Sequence, residues 1–109
     1  MSALAVAAAL VASGHPAPVL RPALASWYGP GLFGNPLGCG GTLQRWTRGV
    51  AHKTLDCGTR VRLCARRCRT TRVIDRGPYV GAREFDLTQA LAGAVGFKGL
   101  GVIRVRVLR

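Results

Sequence analysis

Cys64 and Cys68 bracket Ala65-Arg66-Arg67, and each adjoins a run of β character: Arg60-Val61-Arg62-Leu63 before, Arg69-Thr70-Thr71-Arg72-Val73-Ile74 after. That spacing predicts a hairpin whose turn sets the two cysteines opposite each other. Facing residues of an antiparallel pair lie about 4.5–5.5 Å apart at Cα, within disulfide range. Cys39 and Cys57 then pair by elimination, closing a loop for which a bridge contributes about 3 kcal/mol. Neither spacing gives the paired cysteines of a zinc ribbon. A mixed metal site that includes His52 stands as the alternative, because ligands need not be neighbours in sequence.

The 109 residues allow one domain. At 49% hydrophobic residues the chain is too apolar for a disordered tail, and its 15 glycines break it too often for a long-helix protein. A compact, loop-rich, mainly β domain follows, in which disulfides would supplement a small core. Ser2 to Ser13 is an apolar run too short for a bilayer span and of the right length for a signal-peptide core. His15-Pro16-Ala17-Pro18 continues it as an extended linker, so residues 1–24 read as leader and linker and 25–109 as the domain. No Lys or Arg precedes the run, which leaves an upstream start and a non-secretory leader as alternatives.

Regular structure is predicted to open with the aromatic strand Ala25-Ser26-Trp27-Tyr28-Gly29. Leu32 to Arg48 has no period and reads as a long loop pinned by Cys39. Gly49-Val50-Ala51-His52 is a second short strand, the cysteine hairpin follows, and its second strand runs into Asp75-Arg76-Gly77-Pro78. After an extended piece at Glu84 to Leu87, Thr88 caps a short helix, Gln89 to Val95, that Gly96 stops. The last strand, Val102 to Val107, places Ile103, Val105 and Val107 on one face and arginines on the other. Five or six short strands with one small helix suggest a small barrel.

The sequence carries no phosphate-binding glycine loop, no dinucleotide fingerprint and no metalloprotease or serine-hydrolase motif. Acid–base chemistry must draw on four carboxylates, Asp56, Asp75, Glu84 and Asp86, with His15 and His52. Asp56 fits an Asx turn. Asp75 ends an apolar strand at a glycine turn that lets the backbone approach a ligand; it is either a partly buried general acid or a turn residue paired with Arg76 or Arg83. His52 either lines the same cleft or is a satisfied, half-buried histidine. Asp86 precedes the helix, whose N-terminal amides it could serve.

Ala25-Ser26-Trp27-Tyr28-Gly29, Val50-Ala51-His52-Lys53-Thr54-Leu55 with Gly58-Thr59-Arg60-Val61, Val73-Ile74-Asp75-Arg76-Gly77-Pro78-Tyr79 and Phe85-Asp86-Leu87-Thr88 stand in this order along the chain. Together they resemble the rare lipoprotein A (RlpA-like) family. The resemblance implies a mainly β fold, a six-stranded double-psi β-barrel with one or two short helices, related to the first domain of expansins and to family 45 endoglucanases. It also implies a lytic transglycosylase that cuts the peptidoglycan glycan strand without water and leaves a 1,6-anhydro-muramyl end. By motif, Asp75 would be the acid, with His52 and Asp86 in the cleft. Tyr28, Arg76, Gly77 and Tyr79 would lie near the sugars. No cofactor and no metal are implied.

Active members of that family commonly carry Asn-Gly-Glu in the long loop where this chain has Cys39-Gly40-Gly41. One cleft carboxylate is thereby absent, which favours a non-catalytic, expansin-like module that binds peptidoglycan or another polysaccharide. The retained Asp75 and His52 favour the enzyme. The leader holds no cysteine for lipidation, so the expected location is secreted, periplasmic or in the cell wall, and the C-terminal glycan-binding domain of some relatives is not expected here.

The net charge is +12, mostly from arginine. Arg66, Arg67 and Arg69 on the hairpin and Arg104, Arg106 and Arg109 at the end read either as attraction to anionic wall polymers or as a solvated surface. With 6% aromatic residues, nucleic acid is not an expected partner. The expected partners are peptidoglycan glycan strands or anionic wall polymers, met by a monomer with no stable membrane span.

Overall fold

The computed structural model describes residues 19–108. The apolar run read as a signal-peptide core and most of the linker lie outside the described residues, as does Arg109. Among the described residues, no helix is long and apolar enough to cross a membrane.

Six strands form a closed barrel: β1 (Arg21–Trp27), β2 (Val50–Ala51), β3 (Arg60–Cys64), β4 (Cys68–Asp75), β5 (Phe85–Leu87) and β6 (Gly101–Leu108). Around the barrel the order is β1-β5-β2-β4-β3-β6, and β6 pairs back onto β1. The pairs β1/β5 and β2/β4 are parallel and the other four antiparallel, giving a mixed barrel without free edges. β1 begins at Arg21, so the barrel includes Arg21 to Leu24, which the sequence reading places in the linker. Their partners explain it: Arg21 to Ala25 pair with Val105 to Gly101.

Alternation carries the core. Val61 and Leu63 of β3, Val73 of β4 and Ile103 and Val105 of β6 point inward around Phe85, each at most 1% exposed. α1 (Gln89–Val95) closes one end, with Leu91, Ala92 and Val95 buried against that core. Thr88 caps it as expected: its Oγ1 accepts from the N–H of Leu91 at 3.3 Å and from that of Gly49 at 3.2 Å. At the other end of α1, the Arg67 guanidinium donates to the carbonyls of Ala94 (2.9 Å) and Gly93 (3.2 Å). One of the hairpin arginines is thus committed to the carbonyls of the helix's last turn, where Gly93 also accepts from the Gly96 N–H at 3.4 Å.

Both predicted disulfides are present, Cys64–Cys68 and Cys39–Cys57, with Cα separations of 4.0 and 5.6 Å. All four cysteines are consumed, so no thiolate is left for a mixed metal site with His52. The long loop is not structureless. A single 3-10 turn at Pro30–Leu32 leads into a tight hairpin, bridged at Pro36 and Thr42 and closed by Leu43 N–H to Asn35 at 2.8 Å and Gly34 N–H to Leu43 at 2.6 Å. Leu43, 1% exposed, packs this hairpin onto Tyr28 and Ala51 as a second small core. The Cys39–Cys57 bridge and the Cys39 N–H to Ile74 carbonyl bond (3.2 Å) fasten its tip beside the end of β4.

Candidate active site

One register irregularity organises the site. Val50 pairs with Val73 and Ala51 with Asp75, so β4 carries an extra residue, Ile74, against β2. Without that bulge Asp75 would share the inward face of Val73, two residues earlier. With it, Asp75 falls beside Ala51, whose side chain belongs to the second core. Gly49 makes the bulge possible. A Cβ there would stand 2.5 Å from Cδ1 and 2.7 Å from Cγ1 of Ile74, so only glycine leaves room.

On its other side Ala51 pairs with Asp86 of β5, and Asp86 pairs with Ser26 of β1. Four strands therefore bring Ser26, Asp86, Ala51 and Asp75 into one row. The aspartates flank an alanine, about 10 Å apart at Cα from the spacing of strands. Asp75 is held from two directions. The Tyr28 hydroxyl donates to Oδ2 at 2.6 Å and the Gly38 N–H donates to Oδ1 at 2.6 Å. Gly38 is needed for that approach, since a Cβ would meet Oδ1 at 3.0 Å and the Arg76 backbone nitrogen at 3.3 Å. Asp75 and Tyr28 line a pocket of about 120 Å³ with Leu32, Asn35, Leu37 and Leu43 of the long loop.

The two carboxyls differ in environment. Burial pushes the Asp86 carboxyl above the ordinary aspartate value; the Ser26 hydroxyl, at 3.1 Å, and the Arg83 charge pull the other way, and the neighbouring Asp75 charge adds to the rise. Burial, then the bond to Asp75, raises the Tyr28 phenol, so it remains a neutral donor.

The structure does not bring His52 to this pair. Neighbouring residues of a strand face opposite ways, so when Ala51 faces the aspartates His52 turns toward the main core. Its ring packs on Phe85, with centroids 4.9 Å apart. Nδ1 accepts from the N–H groups of Thr54 and Leu55, both at 3.1 Å, which leaves the proton on Nε2, 3.4 Å from Glu84 Oε2. Glu84 in turn binds Arg21 through both terminal guanidinium nitrogens. Arg76, expected near the sugars, is turned the other way. Its guanidinium donates to the carbonyls of Leu55 (2.6 Å) and His52 (3.1 Å) and reaches Cys57 Sγ at 3.5 Å, securing the turn after β2. Gly77 (φ 108°) underlies the ring of Tyr79, which is 73% exposed. Asp56 sits exposed in its turn.

Three contributors escape the sequence reading: Ser26, Gly38 and Gly49. Ser26 had a signal, since it lies two residues before Tyr28 and so on the same strand face. Gly38 acts through its backbone and Gly49 through what it lacks, and neither leaves a mark in side-chain chemistry.

Comparison with known proteins places these features. Residues 22–107 match the family model described as lytic transglycolase. The endolytic peptidoglycan transglycosylase RlpA of Campylobacter jejuni is 38% identical over 87 residues, covering 77% of this chain and 32% of that protein. The protein of the same name from Pseudomonas aeruginosa (strain UCBPP-PA14) is 37% identical over 86 residues, covering 76% of this chain and 25% of that one. The chain thus spans about a quarter to a third of the curated relatives it matches. The crystal structure of a Clavibacter michiganensis expansin superposes with a TM-score of 0.62 at 19% identity, over 83% of this chain and 50% of that one. At that identity the likeness is one of fold, and the closed six-stranded mixed barrel is the double-psi β-barrel expected from the sequence.

Proposed function

This chain belongs to the RlpA-like lytic transglycolase family, and from that premise we propose that its groove cleaves the glycan strand of peptidoglycan without water, leaving 1,6-anhydro-muramyl ends. The observation that carries the reading is the pair of aspartates flanking Ala51, one half-buried with its carboxyl raised above the ordinary aspartate value, the other fixed by two donors. A proton must reach the glycosidic oxygen as its bond to C1 breaks, and another must leave the muramyl 6-hydroxyl as its oxygen closes on C1. Asp86, whose burial favours the protonated form, suits the first task. Asp75, oriented by Tyr28 and Gly38, suits the second, in place of the acid's role that the sequence resemblance gives it. The two transfers balance within the turnover, and the proton gained by Asp75 then exchanges through solvent back to Asp86 before the next one.

Tyr79, exposed beside Gly77, offers an aromatic face to a sugar ring. His52 and Arg76 act at one remove, by holding the segment between β2 and the Cys39–Cys57 bridge. Two disulfides in so small a domain suit an oxidising compartment, in keeping with export to the cell wall. A second reading, a binding module without cleavage, draws on the long loop, which presents Asp75 with a backbone N–H from Gly38 and no carboxylate. Digestion of purified sacculi by the oxidised domain, with Asp75→Asn and Asp86→Asn alongside, separates the two. Anhydro-muropeptides released by the wild type and by neither variant support the enzyme; binding without release by the wild type supports the module.

A further inference from the structure

Among the described residues, the barrel wall made by β4, β3 and β6 carries arginines that no carboxylate pairs, although Arg62 donates to Thr70 Oγ1 (3.5 Å) and Arg72 to the Gly58 carbonyl (3.4 Å). Its inward positions, Val61, Leu63, Thr71, Val73 and Val105, are buried, so the alternate positions face out. Across the three strands the register sets Arg72 beside Arg60, Arg62 between Thr70 and Arg106, and Cys64 between Cys68 and Arg104. Every such row holds an arginine, and two rows hold a pair placed directly opposite, an arrangement that lowers sheet stability. Among the described residues none of these five guanidiniums has a carboxylate within ion-pair distance; Glu84 serves Arg21 and His52 instead. Asp56 shares the pocket at one end of the wall with Arg60 and Arg72 without pairing to either.

We propose that this wall is a docking surface for a linear, phosphodiester-linked polyol polymer of the cell wall, bound beside the groove. Successive outward positions lie about 7 Å apart along a strand, so the arginines form a ladder that a flexible chain of regularly spaced anions can follow. Their side chains are arginine throughout, whose planar fork suits phosphate oxygens. β3, β4 and β6 contain no aromatic residue on which bases could stack, which argues for a phosphate polymer without bases. Arg72 precedes Asp75 by three residues, about 10 Å of strand, which sets the end of the wall beside Asp75. The choice of a wall polymer rests on the glycan-cleaving reading; the charge ladder does not.

The test titrates the oxidised domain with purified poly(glycerol phosphate) over a series of salt concentrations. Wild type is expected to bind with an affinity that falls steeply with salt. R62Q/R104Q/R106Q is expected to bind at least tenfold more weakly, with the logarithmic salt slope reduced by about two to three. Arg104→Gln alone should show a smaller loss in the same direction, and R48Q/K53Q/K98Q, which removes equal charge from elsewhere on the surface, should lose far less. Unchanged binding by the first triple variant, or equal loss in both triples, overturns the proposal. So does tighter binding of a single-stranded oligonucleotide of equal charge, which would make the partner a nucleic acid, or equal binding of polyglutamate, which would remove the preference for phosphate. Muropeptide release from sacculi stripped of phosphate polymer should be the same in wild type and R62Q/R104Q/R106Q. Loss of that release in wild type would strike the cleavage reading alone, because the polymer titration does not depend on it.

Discussion

Tyr28 donates to one oxygen of the Asp75 carboxylate and Gly38 to the other, and together they fix its plane. Tyr28→Phe keeps the packing of a 7% exposed ring and removes one bond to a charged acceptor. The expected cost is about 1.5–3 kcal/mol in unfolding free energy. With one donor left, Asp75 loses orientation, and kcat should fall roughly tenfold to a hundredfold while KM stays within about twofold. Steady-state muropeptide release by the variant checks the split: a rise in KM with unchanged kcat would make Tyr28 a substrate contact instead of a positioning residue.

At the level of the element, the bulge on β4 decides which face Asp75 occupies. Gly49→Ala would drive a Cβ into the body of Ile74, a clash that costs about 1–3 kcal/mol as the strands shift. The shift falls on the residue next to Asp75, so activity should fall further than the loss of stability accounts for; denaturant unfolding paired with sacculus digestion measures both. A variant that is destabilised but fully active would show that the bulge is not what aims Asp75. This element also marks where the sequence stopped being legible. Strands β3 to β6, the capped helix and both disulfides follow from alternation, from Thr88 and Gly96, and from the turn between Cys64 and Cys68. Each of those signals is local. The bulge is not, because Val73-Ile74-Asp75 reads as an unbroken strand end until β2 is laid beside it. His52 was misleading for the same reason: motif proximity to Asp75 is real along the backbone, where His52 N–H donates to the Asp75 carbonyl at 3.1 Å, yet the side chains part to opposite faces. Arg76 likewise sits next to the site in sequence and spends its donors on the turn behind it.

Across the whole molecule, two carboxylates push the pH dependence of stability in opposite directions. The Arg21 guanidinium, with His52 adding to it, holds Glu84 below the usual carboxylate value. Its contribution is therefore complete above the ordinary glutamate range and is lost as pH falls through the lowered folded value. The pair is partly exposed, so Glu84→Gln should cost at most about 1 kcal/mol, a few degrees of Tm, at neutral pH, with the difference closing in acid. Asp86 behaves inversely. Its folded value is raised by burial, so the domain is better off with Asp86 protonated and loses stability as pH rises through that value. Asp86→Asn should accordingly melt higher than wild type at neutral pH while releasing no muropeptides. Melting curves across the carboxylate range check both signs; an Asp86→Asn domain less stable at neutral pH than wild type would mean that its hydrogen bond from Ser26 outweighs its burial.

The proposed reaction is cleavage by an internal hydroxyl between two aspartates. Digesting sacculi in heavy-oxygen water and weighing the products tests it most directly. The prediction is anhydro-muropeptides free of heavy oxygen at the new muramyl end, from wild type and from neither Asp75→Asn nor Asp86→Asn. Heavy oxygen in those ends would make the reaction a hydrolysis, and sacculi that hold the protein but release nothing would make the groove a binding site alone.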